Sequence, residues 1–244
     1  MVGYKSDVGV RRKFNEDNLG YFENDSYGLY IVADGMGGHN AGEVASKMAV
    51  ETVLSYVSRN LSEEGVDVLK KAIENVNFKI HEYSISNLDL RGMGTTITAC
   101  LCYNDIVTIA NVGDSSCFGI KDGKMHKLTK DHSLVQQLVD AGSISEEEAK
   151  NHPNKNIITR AVGTNEELEV DIFSFEKSEY NRYLICSDGL TNEVTIEEIN
   201  DILTREENNG IAAEILVSEA NKNGGRDNIT VMLFGGESVW MGKY

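Results

Sequence analysis

The chain has 244 residues, of which 41% are hydrophobic and 25% are charged, and these values are typical of a globular protein rather than a disordered one. Its 39 acidic and 23 basic residues give a formal net charge of −16. This charge disfavours a nucleic-acid or membrane-surface function, because both kinds of partner are anionic and are bound through Lys and Arg.

The first part of the chain predicts a β-hairpin followed by two helices. Residues 19–23 and 28–33 are short apolar runs bounded by turn residues, a pattern typical of paired strands. Apolar side chains recur at helical spacing over 41–61, and a second such stripe extends over 63–86. Ser62 directly precedes the second stripe, so we expect it to be the N-cap of that helix.

The remainder of the chain alternates predicted strands and helices in an order that suits antiparallel sheets covered by helices. Asn104 with Asp105, and the run 121–124, are hairpin signals. We therefore predict an α+β fold. The expected strands are 95–103, 106–112, 116–120, 125–128, 168–175, 182–186 and 229–234; the expected helices are 132–141, one capped by Ser145, 196–205 and 211–221.

The four cysteines, Cys100, Cys102, Cys117 and Cys186, form no CxxC pair. Cys100 and Cys102 are two residues apart in a β-branched run, where a strand places both on one face. We expect buried core residues rather than a zinc or redox site. Residues 1–14 show no apolar signal segment, and no apolar run is long enough to span a bilayer. These features together predict a cytoplasmic protein.

Acidic residues recur where predicted strands meet glycine. Asp34, Asp114 and Asp188 each follow an apolar strand, and Asp227 precedes the last one. A single Asp-Gly pair is usually a plain turn, but four such sites predict a cluster of carboxylates. Carboxylates held together repel one another unless a cation lies among them. Oxygen donors without Cys or suitably spaced His favour Mg²⁺ or Mn²⁺ over Zn²⁺.

Three further charged residues lie ahead of the first predicted strand. Glu16 and Asp17 form another acidic group, and Arg12 precedes Glu16 by four residues. A guanidinium group can bind two phosphate oxygens at once. Metal ions beside such a group are typical of phosphoryl-transfer sites.

Eight motifs follow one another in the sequence, at 6–18, 34–46, 94–96, 112–115, 128–133, 158–163, 187–190 and 226–230. Their residues and order resemble those of the metal-dependent Ser/Thr protein phosphatases of type 2C, in the compact bacterial form. The resemblance covers residues 6 to 234. It implies one catalytic domain over 1–244, with a flap-like insert at about 143–156. It also implies two antiparallel β-sheets packed face to face, with a pair of helices on each outer side.

The resemblance further implies two or three Mn²⁺ or Mg²⁺ ions. Asp34 would bridge two of them, and the Gly35 carbonyl would bind one. Glu16 and Asp17 would hold metal-bound waters, and Asp114 would contribute to a third site. The implied metal residues are Glu16, Asp17, Asp34, Gly35, Asp114, Asp188 and Asp227.

The implied reaction is hydrolysis of phosphoserine and phosphothreonine by direct attack of a hydroxide that bridges the metal ions. Asp34 and Arg12 would be the catalytic residues, and Arg12 would bind the substrate phosphate. The expected partners are phosphorylated proteins and a bacterial Ser/Thr kinase acting in opposition. We expect a monomer, because no heptad pattern or exposed apolar face indicates an obligate oligomer.

Some positions depart from the family pattern or leave a role open. Met36 replaces a His proposed as general acid in eukaryotic members, so a metal-bound water or another group must protonate the leaving oxygen. For His39 both a catalytic and a structural role stay open. Asp131 and His132 are expected to form a turn and a helix cap.

Two other functions stay open on the sequence alone. A phosphoprotein-binding module with a degenerate site is disfavoured because Asp34, Asp188 and Asp227 are all present. The same metal chemistry could instead act on a small phosphate ester or a nucleotide.

Overall fold

The computed structural model describes residues 1–38 and 41–235, so His39 lies outside the described residues. The strands are β1 (Gly3–Asp7), β2 (Asp17–Glu23), β3 (Tyr27–Met36), β4 (Gly94–Thr95), β5 (Ile97–Tyr103), β6 (Ile106–Val112), β7 (Ser116–Lys121), β8 (Lys124–Lys127), β9 (Asp171–Glu176), β10 (Arg182–Cys186) and β11 (Ile229–Gly235). The helices are α1 (Ala41–Glu64), α2 (Val68–Ser86), α3 (Leu134–Asp140), α4 (Glu146–Lys150), α5 (Asp188–Thr191), α6 (Ile196–Arg205) and α7 (Asn209–Lys222).

The strands form two antiparallel sheets. In the first sheet the order is β1-β11-β10-β7-β8; in the second it is β2-β3-β5-β6-β9, with β4 paired to the end of β3. The hairpin between β5 and β6 turns at Asn104 and Asp105, whose φ angles of 48° and 60° lie in the left-handed region. Asn and Asp tolerate this conformation, which two-residue hairpins require, so the predicted hairpin is confirmed.

Three apolar layers hold the sheets and helices together. One lies between α1, α2 and the second sheet, and another between α6, α7 and the first sheet. The third lies between the two sheets, where the ring of Phe234 stacks on Tyr30 at 3.7 Å and on Tyr183 at 5.3 Å. The predicted sandwich, with helical pairs at 41–86 and 196–221, is confirmed.

The cysteines are core residues, as predicted. All four are free and buried. Cys100, Cys102 and Cys117 belong to the layer between the sheets, and Cys186 packs under α6 and α7. Burial raises the pKa of the Cys102 thiol to about 12, which keeps it protonated and unreactive at neutral pH.

Several strand and helix ends shift by a few residues, and three features differ more clearly from the prediction. Ser62 is not an N-cap: α1 continues to Glu64, and α2 begins at Val68 after a 3₁₀ turn. Gly65 adopts φ = +58°, a conformation that ends a helix at little steric cost. The side chain that caps α3 is Ser133, which accepts a hydrogen bond from the Gln136 N–H, so Asp131 and His132 are not the cap. Strand β1 was not predicted.

None of the helices within the described residues combines the length and apolarity needed to cross a bilayer.

Candidate active site

The second sheet places two carboxylates opposite each other. Asp17 begins β2 and pairs with Asp34 near the end of β3. Asp17 is only 6% exposed, and its Oδ2 accepts a hydrogen bond from Ser187 Oγ at 2.8 Å. The Asp34 backbone is held by Thr96 and Thr95: its N–H donates to Thr96 Oγ1, and its carbonyl accepts from Thr95 Oγ1, both at 2.9 Å. Because Ser187 follows β10, the Asp17 bond joins the two sheets.

The first sheet contributes two more carboxylates to the same edge. Asp188 begins α5 directly after β10, and its Oδ2 accepts from Asn192 Nδ2 at 2.8 Å. Asp227 precedes β11, and its Oδ1 accepts the N–H of Asn228 at 2.8 Å. The sandwich therefore assembles four carboxylates from segments that are far apart in the sequence.

These carboxylates act as one electrostatic unit. Burial, followed by the charges of Asp17 and Asp188, raises the pKa of Asp34 well above its ordinary value. Burial raises the pKa of Asp17 to about 7, with Asp188 and Asp227 adding to the shift. Burial and Asp227 raise the pKa of Asp188 to about 6. Like charges close together in a low-dielectric site favour the protonated form, and a cation would relieve that repulsion.

Asp114 lies at the same edge, after β6. It is 9% exposed, and burial followed by the charge of Asp188 raises its pKa to about 8. Oδ1 of Asp114 and Oδ1 of Asp17 are buried without a hydrogen-bond partner. An unsatisfied buried oxygen is unfavourable, and a hard divalent cation would satisfy it.

Within residues 1–38 and 41–235 no three His, Cys, Asp or Glu side chains lie close enough together to hold a metal ion by themselves. A site built from single carboxylates, a backbone carbonyl and water suits Mg²⁺, which commonly keeps several waters and binds through one or two carboxylates. The oxygen-only donors, their mutual repulsion and the two orphaned oxygens thus fit divalent ions.

Glu16 and Gly35 reach this edge through close backbone packing. The Gly35 N–H donates to the Glu16 carbonyl at 3.2 Å, and the Glu16 N–H donates to Asn228 Oδ1 at 2.9 Å. The Gly42 N–H donates to the Glu16 carboxylate. A Cβ on Gly35 would collide with the backbone carbonyl of Gly42, so only glycine lets β3 pack this closely against the start of α1.

Arg12 lies at the mouth of the cluster. Its side chain is 48% exposed, and its Nη2 donates to Asp227 Oδ2 at 2.8 Å. The loop that carries it is anchored by the Val10 and Arg11 N–H groups, which donate to the Gly225 carbonyl at 2.8 and 3.1 Å. A half-exposed guanidinium beside a carboxylate cluster is well placed to bind an incoming anion.

A network behind Asp114 was not predicted from the sequence. His132 Nδ1 accepts the N–H of Gly113 at 3.0 Å, so Nε2 carries the ring proton and can donate to Asp171 Oδ2 at 3.1 Å. Arg160 Nη1 donates to Asp171 Oδ1 at 2.6 Å. His132 therefore holds the loop that presents Asp114. One sequence signal could have indicated this network: His132 and Arg160 lie inside two of the eight motifs, 128–133 and 158–163.

Comparisons with known proteins agree with this architecture and site. Residues 10–221 match the family model described as protein phosphatase 2C. The chain is 45% identical over 235 residues to the serine/threonine phosphatase stp of Listeria welshimeri, which covers 94% of this chain and 93% of the relative. The crystal structure of serine/threonine phosphatase Stp1 from Staphylococcus aureus matches with a TM-score of 0.89 and 37% identity, over 97% of this chain and 94% of that one.

A third structure, the catalytic domain of serine/threonine protein phosphatase PstP in complex with two manganese ions, matches with a TM-score of 0.81 and 35% identity, over 96% of each chain. The chain therefore belongs to the protein phosphatase 2C family. It is a protein serine/threonine phosphatase of this family, as the sequence motifs predicted.

Proposed function

We propose that this phosphatase hydrolyses phosphoserine and phosphothreonine esters with two or three Mn²⁺ or Mg²⁺ ions held by the carboxylate cluster. The observation that carries this proposal is the convergence of Asp17, Asp34, Asp188 and Asp227 beside Arg12. Family membership and the manganese complex of the PstP catalytic domain support divalent ions as cofactors.

The carboxylates and one backbone carbonyl would divide the ligand roles. Asp34 would be a ligand of two ions, and the Gly35 carbonyl would be a ligand of one of them. Asp188 and Asp227 complete the set from the first sheet, and Asp114 with Asp188 would form a further site. Glu16 and Asp17 would hold water molecules. When bound, the ions acidify water and offset negative charge on the phosphate.

Arg12 would bind and orient the substrate phosphate. Its guanidinium is flexible enough to exchange Asp227 for phosphate oxygens, because it is half exposed and makes only one ion pair among the described residues. Two parallel N–H donors fix the phosphate in one orientation. The same donors stabilise the charge that develops on the non-bridging oxygens during the reaction.

The chain offers no side-chain acid where eukaryotic relatives place one. Met36 ends β3 beside Gly35, paired with Gly94, and a thioether cannot donate a proton. We infer that the leaving serine or threonine oxygen takes its proton from water.

We also propose three broader features. The segment 143–156 contains α4 and would act as a flap beside the site. The substrates are phosphorylated proteins, and a Ser/Thr kinase would act in opposition. The protein would work as a cytoplasmic monomer.

The test is phosphate release from p-nitrophenyl phosphate, phosphothreonine peptides and nucleotides, with MnCl₂, with MgCl₂ and with EDTA. We expect activity only with a divalent ion, and higher kcat/KM for peptides than for nucleotides. Asp34→Asn should lower kcat by about 10²-fold or more, by analogy with the loss of a key electrostatic group. Asp25→Asn, in the exposed turn before β3, is the matched control and should behave like the parent. Full activity in EDTA, or in Asp34→Asn, contradicts the proposal.

A further inference from the structure

A cavity of about 490 Å³ adjoins the carboxylate cluster. Asp114 and Asp188 are among its lining residues. Helices α3 and α4 and the start of α6 form its walls, which include the apolar side chains of Val135, Val139 and Ile196. The cavity therefore opens directly from the site where the phosphate would be hydrolysed.

The cavity contains three lysines, and two of them are already neutralised. Lys127 pairs with Asp131 at 2.7 Å, and Lys150 pairs with Glu147 at 2.9 Å. Lys155 is half-buried, and within residues 1–38 and 41–235 no carboxylate lies close enough to form an ion pair with it. A half-buried ammonium group that makes no ion pair can bind an anionic ligand.

A hydrogen bond holds the backbone of Lys155. Its N–H donates to the His152 carbonyl at 3.2 Å, in the turn that follows α4. Lys155 lines the same cavity as Asp114 and Asp188, so its charge lies beside the site. Among the described residues Arg12 has an ion-pair partner in Asp227, whereas Lys155 makes no ion pair.

We propose that this cavity is a subsite for the substrate segment next to the phosphorylated residue, and that Lys155 binds an anionic side chain there. The inference rests on the proposed function. A polypeptide whose phosphate lies at Arg12 must continue across the protein surface, and each residue extends it by about 3.3–3.6 Å. Apolar walls combined with placed charged and polar groups are a usual design for selecting a side chain. The anion is a carboxylate or a second phosphate, which share this chemistry.

The experiment measures kcat/KM for a series of phosphothreonine peptides of alanine and glycine. In one series a single Glu occupies each position flanking the phosphothreonine in turn. In the matched series Gln occupies the same positions. We expect one position at which Glu exceeds Gln by about three- to tenfold, the range of one partly exposed charge contact. Lys155→Ala should remove this preference, and Lys155→Glu should reverse it in favour of a peptide with Lys at that position.

Two further arms complete the test. Lys222→Glu makes the same charge change on the outer face of α7, where Lys222 pairs with Glu219, and should keep the Glu preference. In a further peptide a non-hydrolysable phosphonate replaces the Glu. Comparing its kcat/KM with that of the Glu peptide shows whether Lys155 prefers a phosphate-like group or a carboxylate.

The possible failures are distinguishable. A wild-type enzyme that hydrolyses all peptides equally, or a preference that survives Lys155→Glu, overturns the subsite while the proposed function stands. Absence of hydrolysis for every peptide with either metal ion overturns the proposed function itself.

Discussion

Gly35 shows how a single missing side chain shapes the site. Its backbone lies against the carbonyls of Gly42 and Glu16. We expect Gly35→Ala to lower the free energy of unfolding by about 1–3 kcal/mol, the usual effect of overpacking, and to lower activity by displacing Asp34. Thermal unfolding and phosphate release measure both effects. Gly38→Ala is the matched control, because a Cβ there meets no atom of the described residues within 4 Å. Equal losses in both variants would contradict the packing argument.

Arg12→Ala should act mainly on substrate binding. The guanidinium is half exposed and is not needed to support the core, so we expect KM for a phosphopeptide to rise by about tenfold or more with a smaller change in kcat. Arg12→Lys should recover part of the loss, because an ammonium keeps the charge but loses the paired donors. A fall in kcat with unchanged KM would refute this binding role.

The sequence predicts residues of this kind when each carries its own local signal. Asp34, Asp188 and Asp227 stand near glycines at the ends or starts of strands, so the clustering of these carboxylates could be predicted without a structure. Lys155 has no such signal, because only the folded structure shows that it lines the cavity and makes no ion pair there. From the sequence we assigned His132 to a turn and helix cap. Its hydrogen bond from the Gly113 N–H could not be predicted, because the two segments become neighbours only in the folded protein.

The two capping boxes allow a comparison between helices. Thr195 and Glu198 cap α6, which buries Ile199 and Leu203, whereas Ser145 and Glu148 cap α4, which buries no side chain. We expect Thr195→Ala to lower the free energy of unfolding by about 1 kcal/mol. Ser145→Ala should leave it unchanged within about 0.5 kcal/mol, because α4 can open locally.

Chemical denaturation measures the global effect of these variants, and hydrogen exchange measures the local one. Faster exchange confined to 146–150 in Ser145→Ala is the expected result. If Ser145→Ala lowered the free energy of unfolding as much as Thr195→Ala does, α4 would unfold together with the core.

At the scale of elements, helix and strand identity was predictable because apolar periodicity is local. The boundary between α1 and α2 was not, because Ser62 is a good N-cap by residue type while the packed α1 continues past it. Gly65, with its positive φ, was the better boundary signal. Strand β1 was missed because it is short, carries charged residues, and is stabilised by pairing with β11.

The whole molecule should respond to pH through its carboxylate cluster. The pKa values of Asp17, Asp114 and Asp188 are raised to about 7, 8 and 6. Between about pH 4 and pH 8 the folded state therefore keeps protons that the unfolded chain has released, and stability falls as pH rises through this window. Carboxylates with lowered pKa, such as Asp171 and Glu193, oppose this only at the acidic end.

In EDTA we expect the melting temperature to fall by about 5 °C or more between pH 6 and pH 8. Excess Mn²⁺ should reverse most of the fall, because the ion binds the ionised carboxylates of the folded state. Asp17→Asn should make the melting temperature in EDTA less dependent on pH. A melting temperature that is independent of both pH and Mn²⁺ would contradict the electrostatic account.

The pairing of β1 with β11 affects the order in which the two sheets form during synthesis. The hydrogen bond between Ser6 and Thr230, at 2.8 Å, joins residues 224 positions apart, and Arg12 meets Asp227 across a similar separation. On the ribosome β1 emerges early and cannot pair until β11 has emerged, so the first sheet closes last. We therefore expect a nascent chain that has not yet exposed Asp227 and β11 to lack phosphatase activity, because part of the carboxylate cluster is still missing.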